Sequence, residues 1–173
     1  MPTALDPARP FHKPIRLPKQ HYLGRRAYFL TLCARDRAPY FRSRRIALWV
    51  LESLQQIAAQ QSFSLRAYCL MPDHLHLLLQ GNSPSSDLSS FVKTFKHKTT
   101  FHFRAKTGKT LWQISLFDHI LRTAEDLSKT AEYILLNPVR AGLVKRPEDY
   151  PYSRIFSRSH YGRGHSGLKA SAI

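Results

Sequence analysis

The chain has 173 residues, 43% of them hydrophobic, which suffices for one soluble globular domain with a real core. Lys and Arg number 27 against 11 Asp and Glu, and the resulting charge of +16 favours polyanions, nucleic acid first. No run approaches the roughly 18 apolar residues of a bilayer span. The proline-rich start, MPTALDPARPFHKPIRLPKQ, lacks the apolar stretch of a secretory signal, so the expectation is a cytoplasmic, nucleoid-associated protein with no membrane partner.

Residues 1–22 carry prolines and cations without periodicity and read as a basic extended arm. RRAYFLTLCAR, 25–35, is near-continuous in β-formers and predicts a buried strand, followed by a turn through Asp36 to Pro39. From Ser43 the apolar residues Ile46, Leu48, Trp49, Leu51, Leu54, Ile57 and Ala58 recur at helical spacing, with the helix ending near Gln61. SFSLRAYCLM and PDHLHLLLQ predict two strands, with Met71-Pro72-Asp73 between them as a tight turn or a bulge. Cys33 and Cys69, both in apolar surroundings, read as buried free thiols.

GNSPSSD is a linker. DLSSFVKTFKHKTTFHFRAK predicts a helix with Leu88, Phe91, Val92, Phe95 and Thr99 facing the core, closed by Gly108. LWQISLFDHILR, 111–122, fits two short strands or a strand and a turn. Thr123 then opens a helix in capping-box fashion. Its end is expected at Leu136 or Asn137, because Pro138 disfavours helical backbone at the residue before it. VRAGLVKRPEDYPYSR, 139–154, reads as a structured closing loop. The segment 156–173 contains no acid and is expected to stay disordered until it meets an anion. The domain is therefore placed at 23–155, and no internal repeat is visible.

His74 and His76 raise the question of function. Alternate residues of a strand share a face, so Leu75, Leu77 and Leu79 suit the core while the two imidazoles share the other face, roughly 7 Å apart at Cβ. Such a pair can converge on one divalent ion. On the helix after Thr123, Leu127, Ala131, Ile134 and Leu135 form the core arc. Tyr133 and Asn137, at i and i+4, stack on a face away from it. Leu136 also lies outside the arc, so the wheel suggests a role for Tyr133 without deciding it. Between Asp87 and Asp118 there is no acid, while Lys93, Lys96, Lys98, Arg104, Lys106 and Lys109 alternate with Phe and His. Cations with aromatic residues between them suit a single-stranded backbone and its unstacked bases, although Phe91 and Phe95 belong to the core stripe.

MPDHLHLLL, then the WQISLFDHILR stretch (Trp112, Gln113, Phe117, Asp118, His119, Arg122), then YILLNPVRAGLV, resemble in this order the single-tyrosine HUH transposases, and among them the REP-associated tyrosine transposases. The resemblance implies an α+β fold: a central antiparallel sheet with helices packed on it, a ferredoxin-like or RRM-like palm. It implies cleavage and rejoining of single-stranded DNA through a 5′-phosphotyrosine at Tyr133. The metal would be held by His74, His76 and Asn137. From the donors alone Zn, Mn or another transition ion would serve; the resemblance implies Mg or Mn. A phenol needs help to ionise, and Asp73 and Asp118 are the candidate carboxylates. The implied partners are DNA hairpins of repetitive elements with an adjacent guide sequence. Contacts to that DNA are expected from Arg25, Arg26, Lys93, Lys96, Lys98, Arg104, Arg122 and Arg140. Monomer and homodimer both stay open. The alternatives are a catalytically silent hairpin-binding derivative and a replication-initiator relaxase, for which the chain has little room.

Overall fold

The structure, a computed structural model, describes residues 18–121 and 123–156. The arm up to residue 17, the segment 157–173 and Arg122 lie outside the described residues. Strands β1 (Ala27–Cys33), β2 (Phe63–Met71), β3 (His74–Gly81), β4 (Phe117–Leu121) and β5 (Ser153–Ile155) form one antiparallel sheet in the order β4-β1-β3-β2-β5. Helices α1 (Arg44–Gln60), α2 (Leu88–Thr107) and α3 (Ala124–Arg140) pack on it. The first four strands with α1 and α2 give the β-α-β-β-α-β order expected of a ferredoxin-like palm.

Alternation assigns the two faces. Tyr28, Leu30 and Leu32 of β1, Tyr68 and Leu70 of β2, and Leu75, Leu77 and Leu79 of β3 enter the main core with α1 and α2. Phe29, Ala67, Cys69 and Leu78 meet Ile134 of α3 on the opposite face. With both faces covered, β1 is buried along its whole length, which is why its sequence runs apolar without alternation. Phe91, Phe95 and Thr99 are buried as expected, while Leu48 of α1 is 44% exposed and stands off the stripe. Cys33 and Cys69 are buried free thiols.

Pro72-Asp73 is a two-residue turn, with Met71 paired to His74. The register shift falls elsewhere, between Leu65 and Ala67, where the extra residue Arg66 holds the Gln80 side chain from Nε at 2.8 Å and Nη2 at 2.6 Å. That bulge gives Ala67, Cys69 and Met71 to the α3 face. Asp87 caps α2 by accepting from the amides of Ser89 and Ser90, and Gly108 ends it in the left-handed conformation.

Two expectations are corrected. Helix α3 does not stop at Asn137 but continues through Pro138 to Arg140. Proline removes the donor for the Ile134 carbonyl, and the Asn137 side chain supplies one, its Nδ2 lying 3.4 Å from that oxygen and 2.8 Å from the Tyr133 carbonyl. A Schellman end follows: Leu143 N–H donates to Pro138 O and Gly142 N–H to Val139 O, with Gly142 at φ +68°. The closing loop, in turn, contains a strand. Residues 153–155 pair with β2 as β5, and three residues are too few to show a period.

Candidate active site

His74 and His76 sit on β3 with their side chains on the α3 face, beside Thr31 and Cys33 of β1 and Cys69 and Met71 of β2. Each imidazole is held from behind. His74 Nδ1 is 2.6 Å from Asp73 Oδ1, and His76 Nδ1 is 3.0 Å from Thr31 Oγ1. Asp73 is itself fixed by Arg37, whose Nε lies 3.1 Å from Oδ2 and whose Nη1 donates to Cys33 Sγ at 3.1 Å. The two Nε2 atoms therefore face each other at 3.0 Å.

Burial of the pair, deeper for His76 than for His74, disfavours charge. It lowers the pKa of His74 against the opposing pull of Asp73, and takes His76 down to about 3. Neutral imidazoles are the form that binds metal. The hydrogen-bond network assigns the tautomers. His74 donates from Nδ1 to Asp73, so its Nε2 is bare and receives the Nε2 proton of His76, while Thr31 donates to His76 Nδ1. One proton thus lies between the two Nε2 atoms. Two nitrogens at roughly 2.1 Å from one ion and at right angles around it would be about 3 Å apart, which the observed separation meets. The residues present fit a divalent cation.

Helix α3 brings Tyr133 to this pair within a single chain. Its ring lies edge-on to His76 at 6.2 Å between centroids and to Phe29 at 6.1 Å, and the Arg140 guanidinium sits 4.9 Å above it. Ile134 is the centre of the buried stripe, with Leu127 and Ala131 packed beside it. Tyr133 and Asn137 fall on one flank of that stripe. Tethering of Asn137 Nδ2 to the helix carbonyls leaves Oδ1 as its free acceptor. Among the described residues no group of three His, Cys, Asp or Glu could hold a metal.

The two candidate bases are not available. Asp73 has both oxygens engaged, on His74 and Arg37. Asp118 pairs with Leu30 and so lies on the sheet face away from the histidines. Asp73, read from the sequence as a candidate base, is instead a positioning residue, together with Thr31 and Arg37, which the sequence reading did not name. A lone threonine in the run AYFLTLC was the available signal for one of them.

The expected DNA contacts are dispersed. Arg140 is at the tyrosine. Arg25 and Arg26 are exposed at the start of β1, the end opposite the histidines. Lys93, Lys98 and Arg104 are exposed on α2, across the sheet from His74 and His76, with Lys98 Nζ donating to Gln56 Oε1 at 3.3 Å. Lys96 is engaged inside the protein, its ammonium donating to the carbonyls of Gln113, Ile114 and Ser115 at 2.8, 3.2 and 3.3 Å. Burial lowers its pKa to about 8.

The family described as IS200-like transposases matches residues 24–136, from the start of the sheet to the turn of α3 after Tyr133. This chain belongs to the IS200-like transposases. Its relatives place the transposase in the REP-associated tyrosine branch. A candidate REP-associated tyrosine transposase of Haemophilus influenzae is 30% identical over 139 residues, covering 73% of this chain and 77% of the relative. The REP-associated tyrosine transposase of Escherichia coli is 24% identical over 135 residues, covering 78% and 79%. A solved REP-associated tyrosine transposase bound to a REP hairpin superposes with a TM-score of 0.66 at 25% identity, covering 76% of this chain and 78% of that one. Among the described residues no helix is long and apolar enough to cross a membrane.

Proposed function

We propose that this transposase cuts and rejoins single-stranded DNA beside hairpin-forming repeats, with Tyr133 as nucleophile and His74, His76 and Asn137 as ligands of Mg or Mn. The observation that carries the reading is the packing of the Tyr133 ring against His76, at the point where two neutral imidazoles converge. A cation bound there supplies charge neutralisation on the scissile phosphate. The Tyr133 hydroxyl attacks phosphorus as the bond to the 3′ oxygen breaks, giving a 5′-phosphotyrosine and a free 3′-hydroxyl. The phenolic proton leaves to solvent and the 3′ oxygen takes one up. Because the phosphodiester energy is kept in the tyrosyl ester, the 3′-hydroxyl can reverse the step without ATP. Arg140 places a guanidinium 4.9 Å above the ring of the proposed nucleophile. The hairpin partner is supported by the solved relative and by the charge of +16.

The test is a denaturing-gel assay of wild type and Tyr133→Phe with single-stranded repeat hairpins of the source genome, in Mg, in Mn and in EDTA. A covalent protein–DNA adduct that needs metal and is absent from the variant is expected. Adduct in Tyr133→Phe would move the nucleophile elsewhere. Tight, salt-sensitive binding with no adduct under any metal would favour the silent hairpin-holding alternative.

A further inference from the structure

Past the end of β1 lies an open cavity of about 330 Å³, lined by Arg35, Asp36, Gln113, Ile114 and Ser115. It belongs to the same end of the sheet as His74. Cys33, the register partner of His74, accepts from Gln113 N–H at 2.9 Å, and Arg35 N–H donates to Leu111 O at 2.8 Å. One wall is the turn after β1, where Asp36 and Arg37 both take left-handed backbone, at φ 56° and 54°. Two consecutive non-glycine residues in that region are costly and persist only when their surroundings fix them. Here Arg37 is fixed by the Asp73 carboxylate that also orients His74. The cavity wall and the metal-ligand geometry are thereby wired together.

The other wall is equally fixed. Three successive carbonyls of the 113–115 loop converge on the Lys96 ammonium. Pinned in this way, Ile114 projects into solvent with 87% of its surface exposed. A pinned loop that holds a large aliphatic side chain in water, at the end of the sheet that carries His74, suits a base face. Across from it stand a guanidinium and a carboxylate, Arg35 and Asp36, paired at 3.3 Å and both reachable.

We infer that the cavity between the Arg35–Arg37 turn and the Gln113–Ser115 loop seats one unpaired nucleotide flanking the scissile phosphate, with its base against Ile114, its phosphate on Arg35 and its exocyclic amine on Asp36. The identity of the strand and its scissile phosphate rest on the proposed function; a seat for one unpaired nucleotide does not. A carboxylate accepts from the amine of adenine, cytosine or guanine, and thymine offers none. Recognition at this position follows from side chains that take no part in bond breaking.

The test is equilibrium binding in a Tyr133→Phe background, where no strand is cut by this tyrosine, read by fluorescence anisotropy. The probes are single-stranded oligonucleotides carrying one imperfect repeat hairpin of the source genome with its flanks, and a single abasic nucleotide walked along each flank. At one position the missing base is expected to weaken binding about 5-fold, Ile114→Ala to weaken the intact strand equally, and the two together to do no more than either. At that position Asp36→Asn removes the discrimination against thymine. The exposure of Ile114 means its truncation leaves the core intact. Losses that multiply at every position, or no loss from Ile114→Ala, overturn the seat even where wild type forms the covalent adduct. Coupling without adduct in wild type sinks the cleavage reading and keeps the seat. A protein that binds none of the strands overturns both.

Discussion

At the scale of single residues, the site depends on what stands behind the imidazoles. Metal-bound histidines keep their orientation through the partner of the other ring nitrogen, and here those partners are Asp73 and Thr31. Asp73→Ala and Thr31→Val are each expected to weaken Mn binding about 10- to 100-fold with the far-ultraviolet circular dichroism unchanged; calorimetric titration of the folded variants measures it. Unchanged affinity would mean the rings are held by packing alone. The pair also sets a pH dependence in the metal-free protein. An unfolded histidine titrates near 6.5, and His76 folded only at about 3. Below 6.5 the unfolded chain therefore binds a proton that the native state refuses, so stability is full above 6.5 and falls as pH drops towards 3. In EDTA, the melting temperature of wild type should fall between pH 7.5 and 4.5 by more than that of His76→Gln, in which this proton is absent. Parallel curves would place the lost stability in other groups.

At the scale of elements, what could be read from the sequence was what has a period or a cap. The helical stripe from Leu88 to Thr99 and its ends at Asp87 and Gly108 were legible because capping and periodicity are local. So was the H-x-H pair, since strand alternation alone puts His74 and His76 on one face. The end of α3 was misjudged because proline was weighed without its neighbour. Asn137 repairs the bond that Pro138 removes, and only the folded helix shows it. The second row of residues was equally hidden: that Thr31 reaches His76 depends on the pairing of β1 with β3, 45 positions apart in the chain. Asn137→Ala should therefore act twice. It leaves the Ile134 carbonyl without a donor, at a cost of about 1 kcal/mol, read by urea denaturation. It also deletes the proposed third metal ligand, read by the adduct assay. Loss of adduct with no loss of stability would assign the residue to the metal alone.

At the scale of the whole molecule, the sheet separates two sets of charge. Tyr133, Arg140 and the histidines share the α3 face, whereas Lys93, Lys98 and Arg104 stand on α2 behind the opposite face. A strand whose scissile phosphate is at the tyrosine meets the α2 cations only where it, or the hairpin attached to it, passes around the sheet. Those cations then contribute to affinity through released counterions and contribute nothing to the bond-breaking step. Replacing all three with Gln should raise Kd and make the slope of log K against log salt shallower by about 2, near 0.7 for each single-strand phosphate no longer neutralised. The single-turnover cleavage rate at saturating DNA should stay at the wild-type value. Titrations over a range of salt concentrations and a quenched-flow time course separate the two effects. A reduced rate at saturation would bring α2 to the reaction centre, which a single rigid chain with this topology does not allow. The site would then need a second copy whose α2 reaches across, and the oligomeric state would follow from a kinetic measurement.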